Sequence, residues 1–486
     1  VIQTCSKKET MLTIETGGIV RTCQGMSRRT ALRVGALGGL SLPWLLQQRL
    51  PASTEDRCVK DTAVVLLTLN GGPSQFETFD PKMEGPSEIR SVTGELPTTL
   101  PGITFGGTFP RLAQLAHKLA IVRSFGTYNG DHDLSRLTRR VQGEDKGEAP
   151  SWGSLYSRVT GALRSDSGVP TYALLNSVVF DPNLNRHRAA EFTGTFVKAA
   201  QPGVLGAGYA PFYPAGGGPL MENMTLRMPS DRFGDRRELL ARLDRVLRTV
   251  EQTGELDRVD KFREKAFEVI TRGAVQAFDL DREDAATLAL YDTSEYHLTR
   301  TRSDEQLLNY TPKYLGKQLL LARRLCEAGC GFVMVDCFGW DMHGETISDQ
   351  FGMREGMNAL GYAVDKAVAG FITDCEQRSL GKKIMLVVTG EMGRTPQINS
   401  LGGGRDHWGE ITPLLIYGGG LKMGQVVGQS DRQGAKPTTT PYNTEHLGAT
   451  IMHVLFDGSQ LRLRQDLPRE LIQLSSVSTP IQPLIG

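Results

Sequence analysis

The chain has 486 residues, with 55 basic and 54 acidic side chains and a net charge of +1. That balance excludes the basic footprint of a nucleic-acid binder and the acidic bias of a solvating tail. No stretch reaches the roughly 20 apolar residues a membrane-spanning helix needs, and 55 glycines, above a usual share of about 7%, fit many tight turns and ligand loops.

Residues 1–60 read as a leader and linker. Ser27-Arg28-Arg29-Thr30-Ala31-Leu32-Arg33 precedes a short, glycine-rich apolar stretch at 34–46, and a polar segment follows at 47–60. Twin arginines before a short apolar run resemble a Tat export signal. This implies a periplasmic or extracellular protein, the Tat machinery as a partner, and no transmembrane helix in the mature chain. Met11 is the expected initiator. Beyond the leader, Cys58, Cys326, Cys330, Cys337 and Cys375 are odd in number and form no C-x-x-C pair, so buried free thiols are expected.

The first strong strand is 63–69, apolar almost throughout, ending at Asn70-Gly71-Gly72-Pro73-Ser74-Gln75. The two glycines allow either a plain turn or close approach of a ligand to the backbone. Residues 83–108 read as a loop, 110–119 as a helix and 119–122 as a strand. Asn129-Gly130-Asp131-His132-Asp133 then opens a helix running to 142; His132 and Asp133 suit either a metal ligand and base or the cap of that helix. A strand is expected at 169–175. From 181 to 229 the chain reads as loop and from 231 to 292 as charged helix, so 180–310 is an expected insertion on the sheet.

The pattern sharpens after residue 311. A helix to Gly329 feeds a strand at 331–335, followed by Asp336-Cys337-Phe338-Gly339-Trp340-Asp341-Met342-His343. An Asp-x-His pair just past a strand offers one oxygen and one nitrogen to a cation, a combination suited to Zn²⁺ or Mn²⁺. A long helix at 353–378 leads to the unbroken apolar run 384–388, read as a strand buried on both faces. Glu391 and Arg394 follow it, where an open α/β sheet keeps its ligands; a surface ion pair is the plainer alternative. Gly402-Gly403-Gly404 then introduces Arg405-Asp406-His407-Trp408, in which Asp406 either ligates or orients His407. A last strand is expected at 414–417, a hairpin and loop at 421–440, a helix at 447–456, and a loosely attached end beyond 467.

The twin-arginine start, L-N-G-G-P-S-Q-x-E-T-F-D-P-K, I-V-R-S, W-D-M-H-G, T-G-E-M-G-R-T-P and G-R-D-H-W together resemble the exported bacterial family known as domain of unknown function 1501, placed in the alkaline-phosphatase and sulfatase superfamily. The resemblance implies an alkaline-phosphatase-like α/β fold: a doubly wound, mostly parallel sheet with helices on both faces and a helical or loop insertion. One such domain is expected over 61–470, with a tail at 471–486. It also implies metals at the strand ends holding a phosphate or sulfate ester. Asp341, His343 and His407 match the metal-binding positions, with Asp406 beside them. Departures accompany these matches: Asn70 and Met392 stand where the superfamily has an Asp and a His, and no Ser, Thr or Cys occupies the nucleophile segment 129–134.

Two functions are therefore expected to compete. The first is an exported metal-dependent hydrolase of phosphate or sulfate esters, on carbohydrate or polymer substrates. In it, Asp341, His343, Asp406 and His407 hold a divalent ion, Asn70, Ser74, Gln75, Arg394 and Arg405 hold the anionic substrate, and His132, Asp133 and Glu391 move protons. The alternative is a catalytically degenerate binding or assembly protein of the same fold.

Overall fold

A computed structural model describes residues 11–14, 32–35, 58–139, 149–184, 188–215, 274–301, 307–310, 312–344 and 351–486. The chain divides into two compact units, Val1–Arg57 and Cys58–Gly486. In the first, the strands Met11–Ile14 and Leu32–Gly35 pair antiparallel; the twin arginines lie outside the described residues.

The second unit is built on a seven-stranded sheet. Its strands are β1 (Ala63–Asn70), β2 (Leu119–Val122), β3 (Tyr172–Leu175), β4 (Phe332–Phe338), β5 (Ile384–Thr389), β6 (Leu414–Gly418) and β7 (Gln425–Val427). They lie in the order β7-β2-β6-β5-β1-β4-β3. Every neighbouring pair is parallel except the two that involve β6. The apolar runs of β1, β4 and β5 make them the central strands, and alternation sorts their side chains. Val65, Leu67, Val333, Val335, Leu386 and Val388 enter one core, while Val64, Leu66, Met334, Met385 and Val387 enter the other.

Helices cover both faces. On the first lie α3 (Leu315–Glu327) and α4 (Met353–Gln377). On the second lie α1 (Trp152–Thr160), α5 (Thr444–Leu455) and α6 (Arg469–Ser476). This is the doubly wound α/β class expected. Among the described residues, no helix is long and apolar enough to cross a membrane. Cys58, Cys326, Cys330, Cys337 and Cys375 are all buried, and Cys326, Cys337 and Cys375 are free thiols.

Four local expectations change. Residues 181–229 are not loop throughout: Arg188–Ala199 forms α2, and Phe192 and Phe196, one helical turn apart, are buried. The helix expected from 133 to 142 is the single turn Ser135–Thr138, and residues 140–148 lie outside the described ones. Within 421–440 the expected hairpin is confined to a short antiparallel pairing of Ser430 with Pro437, and β7 before it adds to β2 as a parallel edge strand. The end beyond 467 is firmly packed, because Leu471, Leu474, Ile481 and Leu484 all enter the second core. Most of the charged helical stretch 231–292 lies outside the described residues.

Candidate metal centre

Because β1, β4 and β5 are parallel neighbours, their carboxyl ends present three loops side by side. The β1 loop can come close only because it begins with glycine. Gly71 has φ +118°, and a Cβ there would stand 2.6 Å from Asp341 N. Its N–H donates to Glu391 Oε1 at 2.8 Å, tying the β1 and β5 loops together beneath the β4 loop.

Asp341, at the end of the β4 loop, is the hub. Its Oδ1 lies 3.0 Å from His343 Nε2, 3.4 Å from His132 Nε2 and 3.5 Å from His407 Nε2. His343 Nε2 and His407 Nε2 are 2.9 Å apart. The other nitrogen of each ring faces a different partner. His132 Nδ1 is 3.0 Å from Glu391 Oε1, His343 Nδ1 is 3.1 Å from Asp406 Oδ1, and His407 Nδ1 is 2.9 Å from Gly130 O.

These outer partners are all acceptors, so each neutral ring carries its proton on Nδ1 and turns a bare Nε2 lone pair inward. Three such nitrogens around one carboxylate oxygen call for positive charge among them, from a bound cation, from protons on the rings, or from Arg394, whose Nη1 is 3.2 Å from His343 Nε2. Two ligands bound about 2.0–2.2 Å from one divalent ion stand roughly 2.9–3.5 Å apart in the common geometries, and the observed separations of 2.9, 3.0, 3.4 and 3.5 Å fall in that range. Among the described residues, His132, Asp341 and His407 form a group whose ligand atoms all lie within 4.8 Å of one another. At the same strand ends, the buried Glu391 Oε2 and Asn70 Oδ1 have no hydrogen-bond partner. The donor set therefore fits a divalent ion.

The electrostatics agree. Burial would lower the His132 pKa, but hydrogen bonds to Asp341 and Glu391 outweigh it and raise the imidazole to about 9. Burial would raise the Asp341 carboxyl, yet its bonds with the three histidines and the charge of Arg394 hold it far below the usual carboxylate range. Surroundings that keep Asp341 ionised and favour positive charge on His132 suit a cation at this point.

Of the residues read as the ligand set, Asp341, His343 and His407 meet at one point. Asp406 stands behind His343, with its side chain 58% exposed, and is steadied by Asn399 Nδ2 at 3.2 Å. His132 belongs with the ligand atoms. Asp133 is turned away: it accepts from Ser135 N at 3.3 Å and from Ser135 Oγ, capping the one-turn helix rather than serving as a base. Glu391 lies beneath, holding His132.

The residues expected to grip the substrate are mostly committed elsewhere. Arg394 is fully buried and donates to Gly72 O at 2.8 Å, Arg405 O at 3.0 Å, Trp340 O at 3.2 Å, Asp341 Oδ1 at 2.9 Å and Gly71 O. Arg405, also fully buried, stacks on Phe76 and donates to Ile89 O at 2.8 Å and Arg90 O at 3.1 Å. Neither offers an open fork to an anion. Gln75 ties the β1 loop to the backbone of Arg394, and Ser74 Oγ accepts from Phe76 N at 3.2 Å. Asn70 donates to Phe192 O at 3.3 Å.

Sequence reasoning missed three contributors. Thr127 Oγ1 donates to Glu391 O at 2.7 Å, Asn399 Nδ2 to His343 O at 2.8 Å, and the Phe192 ring stands 6.0 Å from that of His132. None lies in a motif with its own signature; each is brought in by the fold.

An α/β sheet with a candidate His/Asp cation site at its strand ends is the class this structure defines. The chain belongs to the family described as "Protein of unknown function (DUF1501)", whose model matches residues 61–476. No curated protein matches it. Among solved structures, it is similar to a phosphonate monoester hydrolase from Silicibacter pomeroyi, at 12% identity and TM-score 0.38, over 86% of this chain and 77% of that one. It is also similar to a point mutant of TAB5 alkaline phosphatase with magnesium bound, at 8% identity and TM-score 0.35, over 82% and 98%. A third is the PsFucS1 sulfatase from a Pseudoalteromonas species, at 11% identity and TM-score 0.29, over 77% and 66%.

Proposed function

We propose that the protein is a metal-dependent hydrolase of phosphate or sulfate esters, exported by the Tat pathway to the periplasm or cell exterior. The observation that carries this reading is the convergence of three imidazole Nε2 atoms on Asp341 Oδ1. His132, His407 and Asp341 would hold the ion, with His343 beside them 3.0 Å from Asp341 Oδ1; imidazole nitrogens with one carboxylate oxygen suit Zn²⁺ or Mn²⁺. When bound, the ion supplies Lewis-acid polarisation of an ester oxygen and acidifies a water.

The chain's own residues supply the rest. Glu391, Asp406 and Gly130 O each fix one ring through its Nδ1. Glu391 keeps Oε1 engaged with Gly71 N–H and His132 and leaves Oε2 to accept a proton. Arg394, locked behind Asp341, holds the carboxylate in place rather than the substrate. A water acting directly fits the lack of Ser, Thr or Cys over 129–134.

One observation favours the degenerate binding protein: Arg394 already supplies a positive charge to Asp341 at 2.9 Å and to His343 Nε2 at 3.2 Å. Elemental analysis of protein purified without added metal, beside Asp341→Ala/His407→Ala, separates the two. The hydrolase reading expects about one equivalent of Zn or Mn, lost in the double variant, and chelator-sensitive cleavage of 4-nitrophenyl phosphate or sulfate. Metal absent from both proteins, or cleavage indifferent to the chelator, refutes it.

A further inference from the structure

Two charged pieces of the stretches that carry the family resemblance play no part in the metal centre. Asp80-Pro81-Lys82 ends the first stretch, and Arg123 belongs to I-V-R-S. The fold brings all three charges into the lining of one cavity of about 770 Å³. That volume lies within the roughly 300–1,000 Å³ of small-molecule sites. None of His132, Asp341, His343 and His407 lines it.

The inner part of this lining carries a surplus of positive charge. Asp80 is buried, and Lys82 Nζ and Arg123 Nη1 reach its two carboxylate oxygens at 3.1 and 3.6 Å. The two cationic side chains are themselves largely buried, at 18% and 17% exposure. Asp80 also accepts from Ser430 Oγ. Arg123 spends Nε on Phe79 O at 2.9 Å and Nη2 on Thr104 O at 3.1 Å, which fixes its guanidinium. The outer lining residues Glu84, Glu95 and Arg432 are exposed, so water screens them and the buried groups decide the sign. Neutralising Asp80 takes one cation, and Arg123 is already there. Lys82 is the second, and its φ of +51° is a conformation that L side chains seldom adopt. Gly85 N donates to Lys82 O at 2.8 Å and Ser91 N to Pro81 O at 2.9 Å, so the turn is fixed. The Lys82 Cε lies 3.6 Å from where a Cβ on Gly434 would stand, which lays the stem along the loop that carries Gln433 into the same cavity.

We infer that this cavity is a second ligand site, separate from the metal centre, for the oxyanion of a small organic molecule. Lys82 is its principal donor and Arg123 its supporting charge, while Met83 and Ile89 in the same lining suit an apolar part of the ligand. Phosphate, sulfate and carboxylate share the required chemistry, an oxygen acceptor that carries negative charge. A largely desolvated surplus cation gains more from such a partner than an exposed one does.

The test is calorimetric titration of the full chain with inorganic phosphate, sulfate and acetate. Wild type is expected to bind at least one, and the tightest identifies the anionic group. Lys82→Gly and Lys82→Asn should each bind it about tenfold more weakly, the loss of one charge-assisted hydrogen bond. Both variants should still melt cooperatively, since glycine and asparagine suit the left-handed turn and Asp80 keeps Arg123 and Ser430. Lys82→Arg retains the cation and should retain the binding. Asp341→Ala/His407→Ala should leave it in place, which separates this site from any anion held at the metal centre. Binding of none of the three anions, binding unchanged in a folded Lys82→Gly or Lys82→Asn, or binding lost in Asp341→Ala/His407→Ala overturns the inference. Lys82 and Arg123 would then serve Asp80 alone, and the hydrolase reading would stand or fall by its own test.

Discussion

Replacing Asp341 by Asn tests the centre most directly, because this one carboxylate meets everything else there. Its Oδ1 faces three imidazoles at 3.0, 3.4 and 3.5 Å and takes a hydrogen bond from Arg394 at 2.9 Å. Asparagine keeps the shape and removes the charge. A four-ligand zinc site is worth about 10–16 kcal/mol, so one ligand accounts for roughly 3 kcal/mol, about two orders of magnitude in Kd. Removing the charge also leaves the buried Arg394 without its counter-ion, a loss of about 3–5 kcal/mol when nothing compensates. Four carbonyls already receive Arg394, which places the folding cost at the lower end, about 3 kcal/mol. The assay is competition for zinc against a chromophoric chelator, with thermal unfolding followed at fixed zinc. Wild type should gain about 2.7 kcal/mol when free zinc is a hundredfold above its Kd, and Asp341→Asn should gain almost nothing at that concentration. An unchanged zinc Kd in Asp341→Asn would show that the convergence of imidazoles on this oxygen has no bearing on metal binding.

Three further outcomes follow from the fold. Arg323 is fully buried among Asp374, Glu283 and Glu327, each 2.8 Å away; Arg324 and Arg378 still reach these carboxylates, so Arg323→Met should cost about 3 kcal/mol in urea unfolding, the lower end for a broken buried pair. Ending the chain after residue 467 removes the buried Leu471, Leu474, Ile481 and Leu484. At about 1.5–3 kcal/mol each, the loss rivals the whole stability of a typical domain, and the truncated protein should fail to give a cooperative melt. Burial pushes the Asp336 carboxyl up to about 8, so between roughly pH 4 and pH 8 the folded state holds a proton that the unfolded chain has released. Stability should therefore fall as pH rises through that window, and Asp336→Asn should flatten the decline; an equally steep decline in the variant would exclude Asp336 as its source.

The central strands were legible because an unbroken apolar run has few other uses: 63–69 and 384–388 both became neighbours in the middle of the sheet. Asp341, His343 and His407 were legible because residues of ligand type follow strand ends. What local pattern could not reveal was direction. Arg394 and Arg405 carry the chemistry of anion binders, but both point inward and satisfy carbonyls of loops over 300 residues away, a matter decided by tertiary packing. Asp133 and His132 are adjacent in sequence, yet only His132 reaches Asp341, because Asp133 is committed to capping Ser135. The end beyond 467 was misjudged for a related reason. Its few leucines and isoleucines, spaced among polar residues, look sparse in isolation and become a layer only against α5 and the sheet.

That packing sets an order of events during synthesis. Cys58 O receives Asp457 N at 2.8 Å, Lys60 N donates to Leu455 O at 2.9 Å, and Lys422 N donates to Leu484 O at 2.9 Å. The earliest and latest residues of the domain thus close the same layer. A nascent chain still holding residues 457–484 inside the ribosome lacks the pieces that pack against α5 and complete the second core, although β1 and β5 are already made. Until those residues have left the ribosome the layer stays open, and the interval before closure is when such a chain is most exposed to misassembly.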